Sequence, residues 1–197
     1  MNNISQNIYI ATKNPDKFKN IRRSLQLITK HANILSIDPS LPGYKETGKD
    51  SKENAILKAK YYFGFIQGNT LAEDDSIYFD DLPPHKQPKH LAKKFIEKTV
   101  KDQNCWKRFL SKHILKTGKI EKHFCFIKKQ NRKIKYCKAV IPFVIRMPIE
   151  VKELKNFINN FVIPKGFDKT FSQMNEIEKK RFNKKYIIPP LAKIIDI

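Results

Sequence analysis

Leu71-Ala72-Glu73-Asp74-Asp75-Ser76 sets three consecutive carboxylates between a short apolar run and a second one, Ile77-Tyr78-Phe79. Carboxylates at the end of a buried strand repel one another and resist leaving water, so a fold keeps three together only with partners. The chain has 40 Lys and Arg against 19 Asp and Glu, a formal net charge of +21. The partners to expect are therefore Lys or Arg, or a hard cation such as Mg2+. The competing reading is a solvated turn joining two strands. Read as part of a strand, the stretch completes a β-α-β-α-β order, which belongs to mixed α/β folds.

The elements before it support that order. Asn7-Ile8-Tyr9-Ile10-Ala11-Thr12 has the apolar, β-branched character of a buried strand. Lys13-Asn14-Pro15-Asp16-Lys17 then turns into a helix, with Asn14 as N-cap, Pro15 at the first helical position and Asp16 complementing the dipole. Phe18, Ile21, Leu25 and Ile28 recur at helical spacing and predict the face that packs on the sheet. A strand running into a helix N-terminus, with Thr and Lys in the loop, makes an anion site, although the loop lacks the glycines of a Walker motif. Ala32 to Ile37 reads as a second strand. After Glu46-Thr47-Gly48, Asp50 and Glu53 match a capping box and start a second helix. Ile56, Ala59 and Phe63 would form its apolar stripe, and Glu53, Asn54 and Lys58 its polar part, with Asn54 and Lys58 on one face.

Downstream, Asp80 to Pro88 reads as a rigid loop. Helices are expected from His90 to Lys98 and through Cys105, Trp106, Phe109, Leu110, His113 and Ile114. His123 to Lys128 and Lys133 to Arg146 read as a hairpin turning at Gln130-Asn131-Arg132. Helices follow near Glu150 to Ile158 and Asn175 to Phe182, with a short one after Ile187-Ile188-Pro189-Pro190. No internal repeat or long linker divides the 197 residues, so residues 1–197 read as a single domain.

Composition narrows the function classes. The longest apolar runs fall far short of a membrane span, and the N-terminus has no basic-then-apolar signal pattern. Cys105, Cys125 and Cys137, without C-x-x-C spacing, read as reduced thiols of a cytoplasmic protein. The positive charge attracts polyanions, either a nucleotide triphosphate or nucleic acid. Because the lysines are spread evenly and not gathered in an arm, compositional drift outweighs a dedicated nucleic-acid surface.

Taken together, these stretches resemble the inosine triphosphate pyrophosphatase family, house-cleaning enzymes that hydrolyse purine triphosphates outside the usual set. Ala11-Thr12-Lys13-Asn14-Pro15-Asp16-Lys17 is similar to its Thr-x-Asn-x-x-Lys signature. Glu46-Thr47-Gly48 with Glu53-Asn54-Ala55-Ile56-Leu57-Lys58-Ala59 is similar to its second, and Ala72-Glu73-Asp74-Asp75-Ser76 to its acidic motif. Gly166-Phe167-Asp168-Lys169-Thr170-Phe171 leading to Glu178-Lys179 resembles the segment with a substrate-contacting lysine. The base-reading half departs from the pattern. Asn159 and Asn160 replace the Asp-Pro of the base loop, Asn183-Lys184-Lys185 replaces Ser-His-Arg, and Pro83-Pro84 replaces Gly-Gly.

The resemblance implies a mixed central sheet flanked by helices, two lobes with the active cleft between them, and a homodimer. It implies Mg2+-dependent hydrolysis of ITP, dITP or XTP to the monophosphate and pyrophosphate. By the same resemblance Glu46, Glu73 and Asp74 hold the metal and Asp74 is the general base. Thr12, Lys13, Asn14, Lys17 and Lys58 grip the phosphates, Lys17 and Lys58 assisting catalysis. Glu53, Asn54, Asp75, Ser76, Asn159, Lys179, Lys184 and Lys185 complete the substrate site. The alternatives are a catalytically altered homologue acting on a different nucleotide or with broader selectivity, a silent one that binds nucleotide or a partner, and a basic nucleic-acid-binding protein.

Overall fold

The computed structural model describes residues 6–90, 117–145 and 158–195. The helix expected through Cys105 to Ile114 lies outside the described residues, as do those expected from His90 to Lys98 and from Glu150 to Ile158 apart from His90 and Ile158 themselves. Within them the order begins β1 (Asn7–Ile10), α1 (Pro15–Ile28), β2 (Asn33–Ser36), α2 (Ser51–Ile66) and β3 (Asn69–Phe79). The hairpin strands β4 (Thr117–Ile127) and β5 (Ile134–Ile145) follow, then α3 (Ile158–Phe161), β6 (Val162–Pro164), α4 (Glu176–Phe182) and α5 (Ile188–Ala192). The six strands form one sheet in the order β2-β1-β3-β4-β5-β6. It is mixed: β1 runs parallel to β2 and β3, whereas β5 and β6 are antiparallel.

The predicted helix starts are where the caps place them. Asn14 Oδ1 accepts the N–H groups of Asp16 and Lys17, and Pro15 opens α1. Asp50 Oδ1 accepts the Glu53 N–H, while Glu53 Oε2 accepts the Lys49 N–H. At the start of α4 the exchange is fully reciprocal: Asn175 Oδ1 accepts the Glu178 N–H and Glu178 Oε2 accepts the Asn175 N–H.

Four expectations change. The acidic stretch is neither a strand end nor a turn but the middle of the 11-residue β3, nearly all of it buried. The buried residues of α2 are Ser51, Asn54, Ala55, Ala59 and Tyr62, with Ile56 and Phe63 only partly covered. Asn54 is thus an inward residue rather than part of a solvated face, because small Ala55 and Ala59 bring the helix close to the sheet. β4 begins six residues before the expected His123, which puts Glu121 and Lys122 inside a strand. Finally, α4 passes into a π-helical segment, Asn183–Ile187, and Pro189 and Pro190 lie inside α5, not ahead of it.

By their internal contacts the residues group into two compact units, 1–74 with 122–139 and 180–197, and 75–121 with 140–179. In the first, α2 covers Ala11, Ile37, Ala72, Cys125 and Ile127, and α1 lies against β1, β2, α5 and the π-helical segment. In the second, Phe79 meets Phe143 edge-on at 5.9 Å. Among the described residues, no helix is long and apolar enough to cross a membrane.

Candidate active site

Strand alternation decides which way the acidic residues point. Successive side chains of β3 face opposite sides of the sheet. Ala72 packs under α2, so Asp74, two residues on, faces α2 as well, and Glu73 faces away. On the α2 side, Lys58 Nζ lies 3.7 Å from Asp74 Oδ1, 3.5 Å from Glu46 Oε1 and 3.3 Å from the Glu73 carbonyl oxygen. On the other side, Lys17 Nζ is 3.0 Å from Glu73 Oε2 and Lys122 Nζ 2.8 Å from Glu73 Oε1. Three ammonium groups and three carboxylates therefore interleave within the first unit. A buried carboxylate is tolerated when charged partners of this kind compensate its lost hydration.

The loop carrying Glu46 is held by α2. Asn54 Oδ1 accepts the Gly48 N–H at 2.7 Å, and the asparagine is 1% exposed. This side chain positions the Glu46-Thr47-Gly48 turn. Glu53, four residues after Lys49, is committed to capping α2. In the first loop Thr12 Oγ1 accepts the Asn14 N–H, and Lys13 Nζ donates to the Pro39 carbonyl at 3.0 Å.

The structure brings Lys17, Glu46, Lys58, Glu73 and Asp74 into this network. In the second unit, Asp75 is partly covered and Ser76 is buried. There Asn159 is exposed and its carbonyl accepts the Ser172 N–H, and Lys179 pairs with Glu176 one helical turn away at 3.3 Å. Lys184 and Lys185 are exposed on the π-helical segment, with Lys185 over the Tyr186 ring, while Asn183 beside them is 5% exposed. Lys122 is the network member that the sequence reading missed. The available signal was a lysine two residues ahead of the buried run Phe124 to Ile127, since a lysine within a covered strand needs a carboxylate.

Among the described residues no three His, Cys, Asp or Glu side chains converge as a ready metal cage. Mg2+ does not require one, being held by one or two carboxylates together with waters and substrate phosphates. Exposed Glu46 and buried Asp74, joined through Lys58, are hard oxygen donors of that kind.

Residues 8–187 match the Ham1 family. A dITP/XTP pyrophosphatase of Symbiobacterium thermophilum is 35% identical over 75 residues, 38% of this chain and 37% of that protein. One from Dictyoglomus thermophilum is 35% identical over 81 residues, with the same shares, so the matched stretch spans little more than a third of either relative. The HAM1 protein of Coxiella burnetii superimposes with a TM-score of 0.73 at 16% identity, over 96% of this chain and 98% of that one. The Staphylococcus aureus Ham1 protein does so with 0.70 at 17% identity, over 95% and 97%. These structures share the fold. The chain belongs to the Ham1 family, the inosine triphosphate pyrophosphatase family its motifs resemble, as a divergent member.

Proposed function

We propose that the protein hydrolyses purine nucleoside triphosphates bearing a 6-oxo base, ITP, dITP and XTP, to the monophosphate and pyrophosphate. The observation that carries this reading is Lys58 set between Glu46 and Asp74, on the strand and helix where the family keeps its acidic and lysine motifs. Both contacts are ion-pair distances longer than a short hydrogen bond, so the groups can re-pair with an incoming phosphate or water. Glu46 and Asp74 would hold Mg2+, which would supply positive charge to the triphosphate and its leaving group; Glu73, turned to the other side of β3 and bound by two lysines, is not placed to join them.

Asp74 takes the proton of the attacking water as the oxygen bonds to phosphorus. The bond that breaks joins the α-phosphorus to the oxygen bridging it to the β-phosphorus, and pyrophosphate leaves with its charge met by Lys58, on the same side of β3 as Asp74. The N-terminus of α1, with Thr12 and Asn14 shaping the loop, offers N–H groups and a positive dipole end to an anion. Lys184 and Lys185 on the π-helical segment present ammonium donors to a 6-oxo group without the planar fork of Arg. The same reading carries a homodimer and a cytoplasmic setting.

The test is pyrophosphate release from ITP, dITP, XTP, ATP and GTP with Mg2+, beside Asp74→Asn. Turnover of ITP, dITP and XTP above ATP and above GTP, whose 6-oxo base carries a 2-amino group, reduced by about 10²–10⁴-fold in the variant, is the expected result. Equal turnover of all five would keep the chemistry and remove the base preference. No release by protein of confirmed fold would overturn the enzymatic reading.

A further inference from the structure

We propose that His123 is a positioning residue for Asp74, an imidazole that Tyr136 holds in one tautomer and that orients the carboxylate for the attacking water. The inference rests on the reading above and extends it to two residues that no motif marks.

Strand geometry puts the imidazole and the carboxylate side by side. Lys129, just past the end of β4, donates its N–H to Asn69 Oδ1 at the start of β3, and at the far ends the Asp80 N–H donates to the Thr117 carbonyl. The two strands therefore run antiparallel. Ala72 and Cys125 both pack under α2, so Asp74, two residues on, and His123, two residues back, take facing positions on that same side. Facing residues of an antiparallel pair have Cβ atoms about 4.5–5.5 Å apart. This is also the side on which Lys58 reaches Asp74.

His123 is 7% exposed. A covered strand position is ordinarily filled by an apolar side chain, and a buried imidazole requires hydrogen-bond partners. Its Nδ1 lies 2.7 Å from the Tyr136 hydroxyl, and the two rings stack with centroids 6.0 Å apart. Lys52, in the first turn of α2, sets its Nζ 5.1 Å from the Tyr136 ring centroid, so the helix helps to hold the phenol in place. With the phenol donating to Nδ1, a neutral ring carries its proton on Nε2 and offers that N–H as a donor. β3 and β5 flank β4 on opposite sides. Nδ1 thus serves the β5 side, and Nε2 the β3 side where Asp74 stands.

Two measurements on the full chain test this. In pyrophosphate release from ITP with Mg2+, Tyr136→Phe is expected to lower kcat roughly three- to tenfold and His123→Leu roughly tenfold or more, with KM nearly unchanged. His123→Gln, whose side-chain amide nitrogen can stand in for Nε2, should recover most of the rate. If His123→Leu does not fold, the double variant His123→Leu/Tyr136→Phe removes both polar groups and leaves an apolar pair. A slow double variant with a normal melting transition supports positioning, and one that turns over normally would overturn it. The second measurement needs no turnover: the ring-nitrogen NMR signals of His123, assigned by their loss in His123→Gln. They should show the proton on Nε2 and should shift in Asp74→Asn. A proton held on Nδ1, or signals unmoved by Asp74→Asn, would sink the proposal. A chain whose His123 signals respond but that releases no pyrophosphate from any triphosphate would instead contradict the proposed hydrolysis.

Discussion

A methyl group at Gly48 would lie 2.6 Å from Asn54 Oδ1, the atom that accepts the Gly48 N–H. The close approach lets a backbone turn seat directly on a buried asparagine, and it fixes Glu46 two residues away. Asn54→Ala removes that acceptor from a partly buried N–H, which costs about 1–3 kcal/mol. The expected outcome is a lower urea midpoint at unchanged slope. Asn54→Ala also frees the Glu46 turn, so a larger Mg2+ requirement for pyrophosphate release should accompany the stability loss. Normal Mg2+ dependence in the folded variant would show that the turn is held by other contacts. The four-residue spacing of Asn54 from Lys58 puts both on one helix face but does not reveal that Asn54 faces inward, so its hold on the Gly48 N–H was not legible in the sequence.

At the scale of elements, short-range signals were legible. A cap, a proline at the first helical position and a capping box all act within a few residues, so Asn14, Pro15, Asp50 and Glu53 could be read from the sequence. Asn14→Ala withdraws the acceptor for two N–H groups at the start of α1 and should cost about 1 kcal/mol, measured as a lower melting temperature. Asn14→Asp, which keeps the acceptor, should restore it. Long-range compensation was not legible. The acidic run looked like a strand end because three carboxylates in a strand interior make sense only when Lys17, Lys58 and Lys122 arrive from other elements. The same lack of distant information hid the true start of β4 and the short β6. The motif order carried the family and the mixed sheet, and chain pairing supplied the rest.

For the whole molecule, the described cysteines give a test of the core. Burial pushes the thiols of Cys125 and Cys137 up to about 12 from an ordinary value of 9.0. Between those two values the unfolded chain loses thiol protons while the folded chain keeps them, so folding stability falls as the pH rises above about 9. In a Cys105→Ser background, Cys125 and Cys137 should resist a thiol reagent at pH 8 and react once urea unfolds the chain. Fast labelling without denaturant would contradict this core.

The six interleaved charges of the site, three lysines and three carboxylates, cancel one another. The formal +21 of the chain is therefore carried entirely by the rest of its sequence. Under the proposed hydrolysis, a triphosphate far from the protein feels that outlying field first and these six charges only on arrival. Delivery and chemistry are thus governed by different charges, and salt separates them: raising ionic strength should depress kcat/KM while leaving kcat in place.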